Sequence, residues 1–289
     1  MKAFKGCRSA ARPTELFELH NSRAGHGLLA SLLWFGAALI AMPLTAQTVQ
    51  LGTAEGFAVL SGSAISNTGA TVVTGQLGLS PGNASSVTGF PPGQVIGATH
   101  FADAVALTAQ NNATTAYNDL AGRSCGTTIS ADLGGSTLTP GVYCSASSMG
   151  LTGTLTLDAQ GDPNAIFVFQ IGSTLTTASN AVVTVINGGQ SCNVFWQVGS
   201  SATLGTGTNF AGSVVALSSI TLNTGASASG RVLARNGAVT LDGNTVSLCT
   251  LAGTLPIDNR SIPVLSNIVG LLFVLTILAI GLVAVRRFT

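Results

Sequence analysis

Three triplets with threonine between two apolar residues, Ala202-Thr203-Leu204, Ile220-Thr221-Leu222 and Val239-Thr240-Leu241, recur every eighteen or nineteen residues. Gly212 and Gly230 repeat at eighteen, as do Ala216 and Ala234. Further upstream, FVFQIGSTLTT (Phe167 to Thr177) is echoed by VFWQVGSSATL (Val194 to Leu204). A unit of this length, built of short β-prone runs between Gly and Asn corners, is too short for a pair of repeat helices and too regular for loops. It fits one coil of a β-solenoid, whose coils must stack because none can bury its apolar face alone.

Side-chain alternation along a strand then assigns faces. In each triplet the outer two residues point into the core and the threonine points out. Stacking therefore predicts an outward ladder of Thr203, Thr221 and Thr240, with neighbours ~4.8 Å apart. The β-propensity of threonine accounts for any one of these residues, but less readily for a whole column.

One stretch breaks the strand pattern. THFADAVALTAQNNATTAYNDLAGR, from Thr99 to Arg123, places Phe101, Val105, Ala109, Ala113, Ala116, Tyr117 and Leu120 at intervals of three and four, where Leu107 or Thr108 also falls. This predicts an amphipathic helix over about 99–122, able to lie along a solenoid flank and shield strand edges. His100 and Asp103 fall near its start, where capping and compensation of the helix dipole are their expected roles.

Charge is scarce: 7% of the 289 residues, with a net charge of +1. From Gln47 to Cys249 there is no lysine, three arginines (Arg123, Arg231, Arg235) and seven acids. Such a balance argues against a nucleic-acid partner. Paired carboxylates suited to glycoside chemistry are also missing, because the acids are scattered and the one close pair, Asp158 and Asp162 in LDAQGDPN, reads as a turn with Asx-type hydrogen bonds. A calcium site is the runner-up there. No Gly-x-Ser-x-Gly or phosphate loop is present, so no enzyme and no cofactor is expected. With no Cys-x-x-Cys and only His100 in this segment, no metal site is expected either.

The two ends differ in kind from the middle. Lys2, Lys5, Arg8, Arg12 and Arg23 precede the apolar run GLLASLLWFGAALIAM, which stops at Pro43 and the small-residue sequence ending at Ala46. That layout predicts a signal peptide over 1–46, with an uncleaved anchor as the alternative. At the other end, a linker (251–261) leads to a tail (262–289) in which eighteen uncharged residues, Ile268 to Val285, precede Arg286 and Arg287. At ~1.5 Å per residue they span close to a ~30 Å hydrocarbon core, with the arginines inside the cell and the body outside. Export also suits the four cysteines of the central domain (47–250). They allow three pairings, of which Cys125–Cys144 and Cys192–Cys249 are favoured because neither loop crosses the other.

From Leu51 to Cys249 the chain resembles the ice-binding-like proteins of microbes. The resemblance is carried by LGTAEGFAVLSGSAISNTGATVVTGQLGLSPG, TGFPPGQV, ADAVALTAQNNATTAYNDLAGR, LTPGVYC, LTLDAQGDPNAIFVFQIGSTLTT and the long run from Asn193 to Asp242, in the family's order. It implies an all-β fold, a right-handed discontinuous β-helix of triangular section with one long flanking α-helix, and adsorption of ice and its ordered water to one flat face. The tail IPVLSNIVGLLFVLTILAIGLVAVRR resembles the sorting signals read by exosortase-type peptidases, with Val264 where threonine is usual. The chain is thus expected at the cell envelope or surface, held in the membrane by its C-terminal helix or processed by a sorting peptidase.

Members of that family often carry Thr-Ala/Gly-x-Thr/Asn on the ice face. Here Thr68-Gly69-Ala70-Thr71, Thr206-Gly207-Thr208-Asn209 and Thr224-Gly225-Ala226-Ser227 resemble it, and Asp242-Gly243-Asn244-Thr245 departs from it by a carboxylate that would interrupt a water-organising array. The resulting ice-binding set is Thr68, Thr71, Thr203, Thr206, Thr208, Asn209, Thr221, Thr224 and Thr240. The rival expectation is a surface adhesin or structural module binding a carbohydrate or matrix polymer.

Overall fold

The computed structural model describes residues 48–129 and 131–249. The expected signal segment, linker and C-terminal tail lie outside the described residues. Among the described residues, no helix is long and apolar enough to cross a membrane.

The described chain winds into a stack of coils whose strands make three parallel sheets of nine, seven and eight strands. Sheet I runs in the order Thr99–Phe101, Gln76–Leu79, Phe57–Ser61, Val232–Ala234, Ser213–Ala216, Val194–Val198, Phe167–Ile171, Gly141–Ser145, Thr127–Thr128. Sheet II runs Met149–Leu151, Leu175–Thr177, Ala202–Leu204, Ile220–Leu222, Val239–Asp242, Ile65–Thr68, Val87–Thr88. Sheet III runs Gln94–Ile96, Val72–Thr74, Thr245–Ser247, Ser227–Ser229, Asn209–Ala211, Val182–Ile186, Thr154–Asp158, Thr137–Leu138. The stacked coils read from the repeat are therefore present, and they extend beyond it in both directions.

The order is not sequential. Phe57–Ser61 pairs on one side with Gln76–Leu79 and on the other with Val232–Ala234, so the first coil docks onto the last and forms a seam. The chain must cross back along the stack before it can climb toward that seam. From Thr99–Phe101, where the crossing begins, to Thr127–Thr128 there are eight strand spacings, about 38 Å at ~4.8 Å each. The 19-residue helix Ala104–Gly122 covers about 28 Å of this at ~1.5 Å per residue, and the residues flanking it on either side span the rest.

The helix starts later than the expected 99–122. Thr99–Phe101 is claimed by sheet I as the partner of Gln76–Leu79. Asp103 then caps the helix, its Oδ1 accepting from the Ala106 N–H at 2.8 Å, while Oδ2 meets His100 Nδ1 at 2.7 Å. Phe101 accordingly contributes as a strand residue, and Val105 is exposed. Ala106, Ala109, Gln110, Ala113, Ala116, Tyr117 and Leu120 form the buried face.

This packing explains why the two kinds of strand read differently. Sheet I is covered inside by the solenoid core and outside by the helix, and its strands FAVLS and VFWQV are buried at every position. Sheet II has an uncovered outer face, so ITL and ATL alternate buried, half-buried, buried. Within the core, Tyr143, Phe169 and Trp196 share one register and stack with centroids 5.5 and 3.9 Å apart, while Phe210 tilts against Trp196 at 4.9 Å. The Trp196 indole N–H donates to the Ala211 carbonyl at 3.1 Å.

Both expected disulfides form. Cys125–Cys144 ties the chain beyond the helix to sheet I, and Cys192–Cys249 fastens the last described residue to the turn Ser191–Asn193. The LDAQGDPN turn holds the expected Asx bonds, with Asp158 Oδ1 accepting from Gln160 N and Asp162 Oδ1 from Asn164 N, each at 2.8 Å.

Candidate functional site

The strand registers turn sheet II into a grid. Its central outward column is Gly150, Thr176, Thr203, Thr221, Thr240, Ser66 and Thr88, each aligned with the next across seven strands. Two residues earlier on each strand, alternation places Ser148, Thr174, Ser201, Ser219, Ala238 and Ala64 on the same side. Two residues later it places Thr152, Ala178, Gly205, Asn223, Asp242 and Thr68 there. Nearly every side group is a hydroxyl, a methyl or a hydrogen.

The hydroxyls are not equivalent. Those of Thr176, Thr203 and Thr221 bond to no side chain or backbone group among the described residues, and so face solvent with donor and acceptor free. Ser66 donates to Thr240 at 3.4 Å, and Thr174 to Ser148 at 2.9 Å. Thr68 donates to Asp242 Oδ1 at 2.9 Å, Thr224 donates to Asp242 Oδ2, and Thr152 donates to Asp132 Oδ2 at 2.7 Å.

Cations are kept away from this grid. Arg123 closes the helix and pairs with Asp119, Arg231 donates to the Glu55 carbonyl in the turn Gly52–Gly56, and Arg235 lies 4.5 Å over the Tyr117 ring of the helix. His100 is tied to the helix cap. Every cationic or potentially cationic side chain among the described residues thus engages the helix or the turn beside it. Among them, no group of three His, Cys, Asp or Glu is placed to hold a metal.

Of the residues expected at the site, Thr203, Thr221 and Thr240 form the predicted ladder. Thr68 joins the neighbouring column, and Thr206 and Thr224 are exposed just past the corner toward sheet III. Asn209 is exposed but belongs to sheet III, aligned with Ser227 and Thr245. Thr71 and Thr208 do not reach the surface, each being 1% exposed.

The corner itself explains those two corrections. Gly69, Gly207, Gly225 and Gly243 adopt φ of 75°, 67°, 70° and 59°, a turn that side chains disfavour, so glycine at the second motif position answers a backbone need. The residue after it points inward. Thr208 there meets Thr177 Oγ1 at 2.7 Å, and Asn244 donates to the carbonyls of Asn223 and Ala226. In the first coil Val72, not Thr71, aligns with Thr245, so Ala70 is one extra residue and moves Thr71 into the inward column. There its hydroxyl accepts from Asn244 N at 3.0 Å.

Thr176, Ser66 and Thr88 were missed. Thr176 lies in the quoted echo GSTLTT, but Thr177 replaces the second apolar residue of the triplet and hides the match. Ser66 and Thr88 could not be found by a sequential repeat, because their coils join the stack across the seam.

Four carboxylates lie below the usual Asp value of 3.8, Asp103 among them through the Ala106 N–H and the His100 side chain. Asp132 is held there chiefly by the Thr152 hydroxyl and the Gly134 N–H, Asp158 by the Asn187 amide and the Gln160 N–H, and Asp242 by the hydroxyls of Thr224 and Thr68. A depressed carboxylate adds stability that is complete above its unfolded value and is lost as pH falls through the folded one. The melting temperature is therefore expected to be level from pH 7 to about 5 and to drop at lower pH as these groups protonate. Thermal melts across a pH series check this, and a melting temperature that stays level down to pH 2 contradicts it.

A stack of coils with one face of small and hydroxyl-bearing side chains broken by a single carboxylate, and with its cations gathered at the helix and the turn beside it, is of the kind suited to an extended surface met through repeated weak contacts. Residues 59–247 match the family described as Ice-binding-like, and the chain belongs to it. It is 53% identical over 231 residues to an ice-binding protein of Nostoc sp. (strain HG1), covering 77% of this chain and 85% of that one. It is 35% identical to ice-binding protein 1 of Shewanella frigidimarina (strain NCIMB 400), where the match covers 72% of this chain but 27% of the longer relative. The crystal structure of an ice-binding protein from an Antarctic biological consortium superposes with a TM-score of 0.70 at 53% identity, covering 73% of this chain and 96% of that one. These relatives are ice-binding proteins and not enzymes, which agrees with the absence of catalytic motifs in the sequence.

Proposed function

We propose that the protein adsorbs to ice through the outer face of sheet II. The observation that carries this reading is the in-register column from Gly150 to Thr88, an unbroken line of small and hydroxyl-bearing side chains on seven hydrogen-bonded strands. Ionic groups impose their own hydration geometry, whereas spaced methyls and hydroxyls hold an ice-like layer of water. Many weak contacts on a preformed face give affinity with little ordering cost. Thr203, Thr221 and Thr240 make the centre of the surface; Thr68, Thr206 and Thr224 make its edge, and Asn209 extends it around the corner.

The adhesin alternative finds no counterpart among the relatives named above. Export is supported by the signal-like N-terminus and the two disulfides. The tail adds a reading in which the domain is displayed at the cell envelope, anchored by its span or released by a sorting peptidase.

The purified segment Gln47 to Asp258 is expected to shape ice crystals and to show thermal hysteresis. Unmodified crystal growth at high protein concentration would overturn the proposal.

A further inference from the structure

Asp242 is the one charged residue in the three outward columns across the seven strands of sheet II; Asp132 lies just beyond their end, bridged to Gly150. Asp242 also sits on the seam. Its strand pairs with Ile65–Thr68, from the opposite end of the domain sequence, and Thr68 is its direct partner. One carboxylate oxygen receives the Thr68 hydroxyl from across the seam, and the other receives the Thr224 hydroxyl from the preceding coil. A single side chain therefore spans three successive coils, two on one side of the seam and one on the other. The backbone at this corner adds Gly243 N to Thr68 O at 2.8 Å and Gly225 N to Asp242 O at 3.0 Å.

We propose that Asp242 staples the seam at the expense of the adsorbing face, dividing that face into a large patch on the strands from Met149–Leu151 to Ile220–Leu222 and a small one beyond. The inference rests on the reading of sheet II as the ice-binding surface. Each threonine hydroxyl has one proton to donate, and those of Thr68 and Thr224 are spent on the carboxylate. They present only acceptor capacity to water, unlike Thr176, Thr203 and Thr221. The carboxylate is also strongly hydrated, and bringing it against a lattice that cannot reproduce its shell is unfavourable. Stability and adsorption thus place opposite demands on one position.

The test measures thermal hysteresis and melting temperature of the purified wild-type protein and of Asp242→Thr and Asp242→Asn. Asp242→Thr completes the column with a neutral hydroxyl, and hysteresis is expected to rise roughly two-fold as more weak contacts act together. Its melting temperature is expected to fall by about 2–4 °C through loss of the staple. Asp242→Asn keeps the shape and one good acceptor, so it should gain hysteresis with a smaller loss of melting temperature, and it serves if the threonine variant fails to fold. A wild-type protein that shows hysteresis, together with variants that gain none, overturns the inference. So does a gain without any loss of thermal stability. A wild-type protein without hysteresis instead overturns the assignment of the face itself, and is thereby told apart.

Discussion

Thr221→Tyr is expected to reduce thermal hysteresis to below roughly a fifth of the wild-type value, because adsorption depends on many contacts made at once. Thr221 lies in the central column with Thr203 on one side and Thr240 on the other. A phenol ring there stands above the plane of methyls and hydroxyls and holds neighbouring coils off the crystal. Its outward position means that the core is untouched, so the melting temperature should stay near wild type; exposed substitutions change stability by within about 0.5 kcal/mol. Thr115→Tyr is the matched control. Thr115 is exposed on the helix, which covers sheet I, and its hydroxyl donates only to the Asn111 carbonyl one turn back. If Thr221→Tyr keeps full hysteresis, or Thr115→Tyr loses as much, sheet II is not the adsorbing face.

Trp196→Ala is expected to cost about 3–5 kcal/mol of folding stability, the range for truncating a large aromatic in a packed interior. Trp196 is fully buried, stacked at 3.9 Å on Phe169 and in tilted contact with Phe210. Its removal opens a hole in the middle of the coil and leaves the Ala211 carbonyl without the indole donor. The rigidity of the outer grid rests on this interior, because sheets I and II line the same core. At about 2–4 °C per kcal/mol, a fall in melting temperature on the order of 10 °C should follow. Circular dichroism melts provide the measurement, and a loss under about 1 kcal/mol would mean that the aromatic stack does not brace the solenoid.

The parts of this fold that were legible in the sequence are those set by strict periodicity. The triplets around Thr203, Thr221 and Thr240 fixed coil length, strand direction and the outward ladder, since successive coils of one solenoid repeat the same alternation. The runs FVFQI and VFWQV, apolar but for Gln170 and Gln197, lie on the sheet that is covered on both sides. Corners were harder to read. Thr208 and Thr71 look like surface residues beside a flexible glycine, yet at a left-handed turn the following side chain swings inward, and the extra Ala70 shifts one motif by a position. The helix start was masked because Thr99 to Phe101 satisfies both a helical spacing and a strand edge, and only pairing with Gln76–Leu79 decides between them. Stacking out of chain order leaves no local signal at all.

That seam bears on how the polypeptide reaches its final form. Val59 aligns with Val232 and Ile65 with Val239, so a ribosome delivers one half of each junction long before the other. Until the later half emerges, one edge of Phe57–Ser61 has no neighbour, and distant pairings of this kind are slow to close. Newly made chains therefore pass through an interval with an open parallel edge, vulnerable to wrong partners, and maturation ends only when the first and last turns of the solenoid meet.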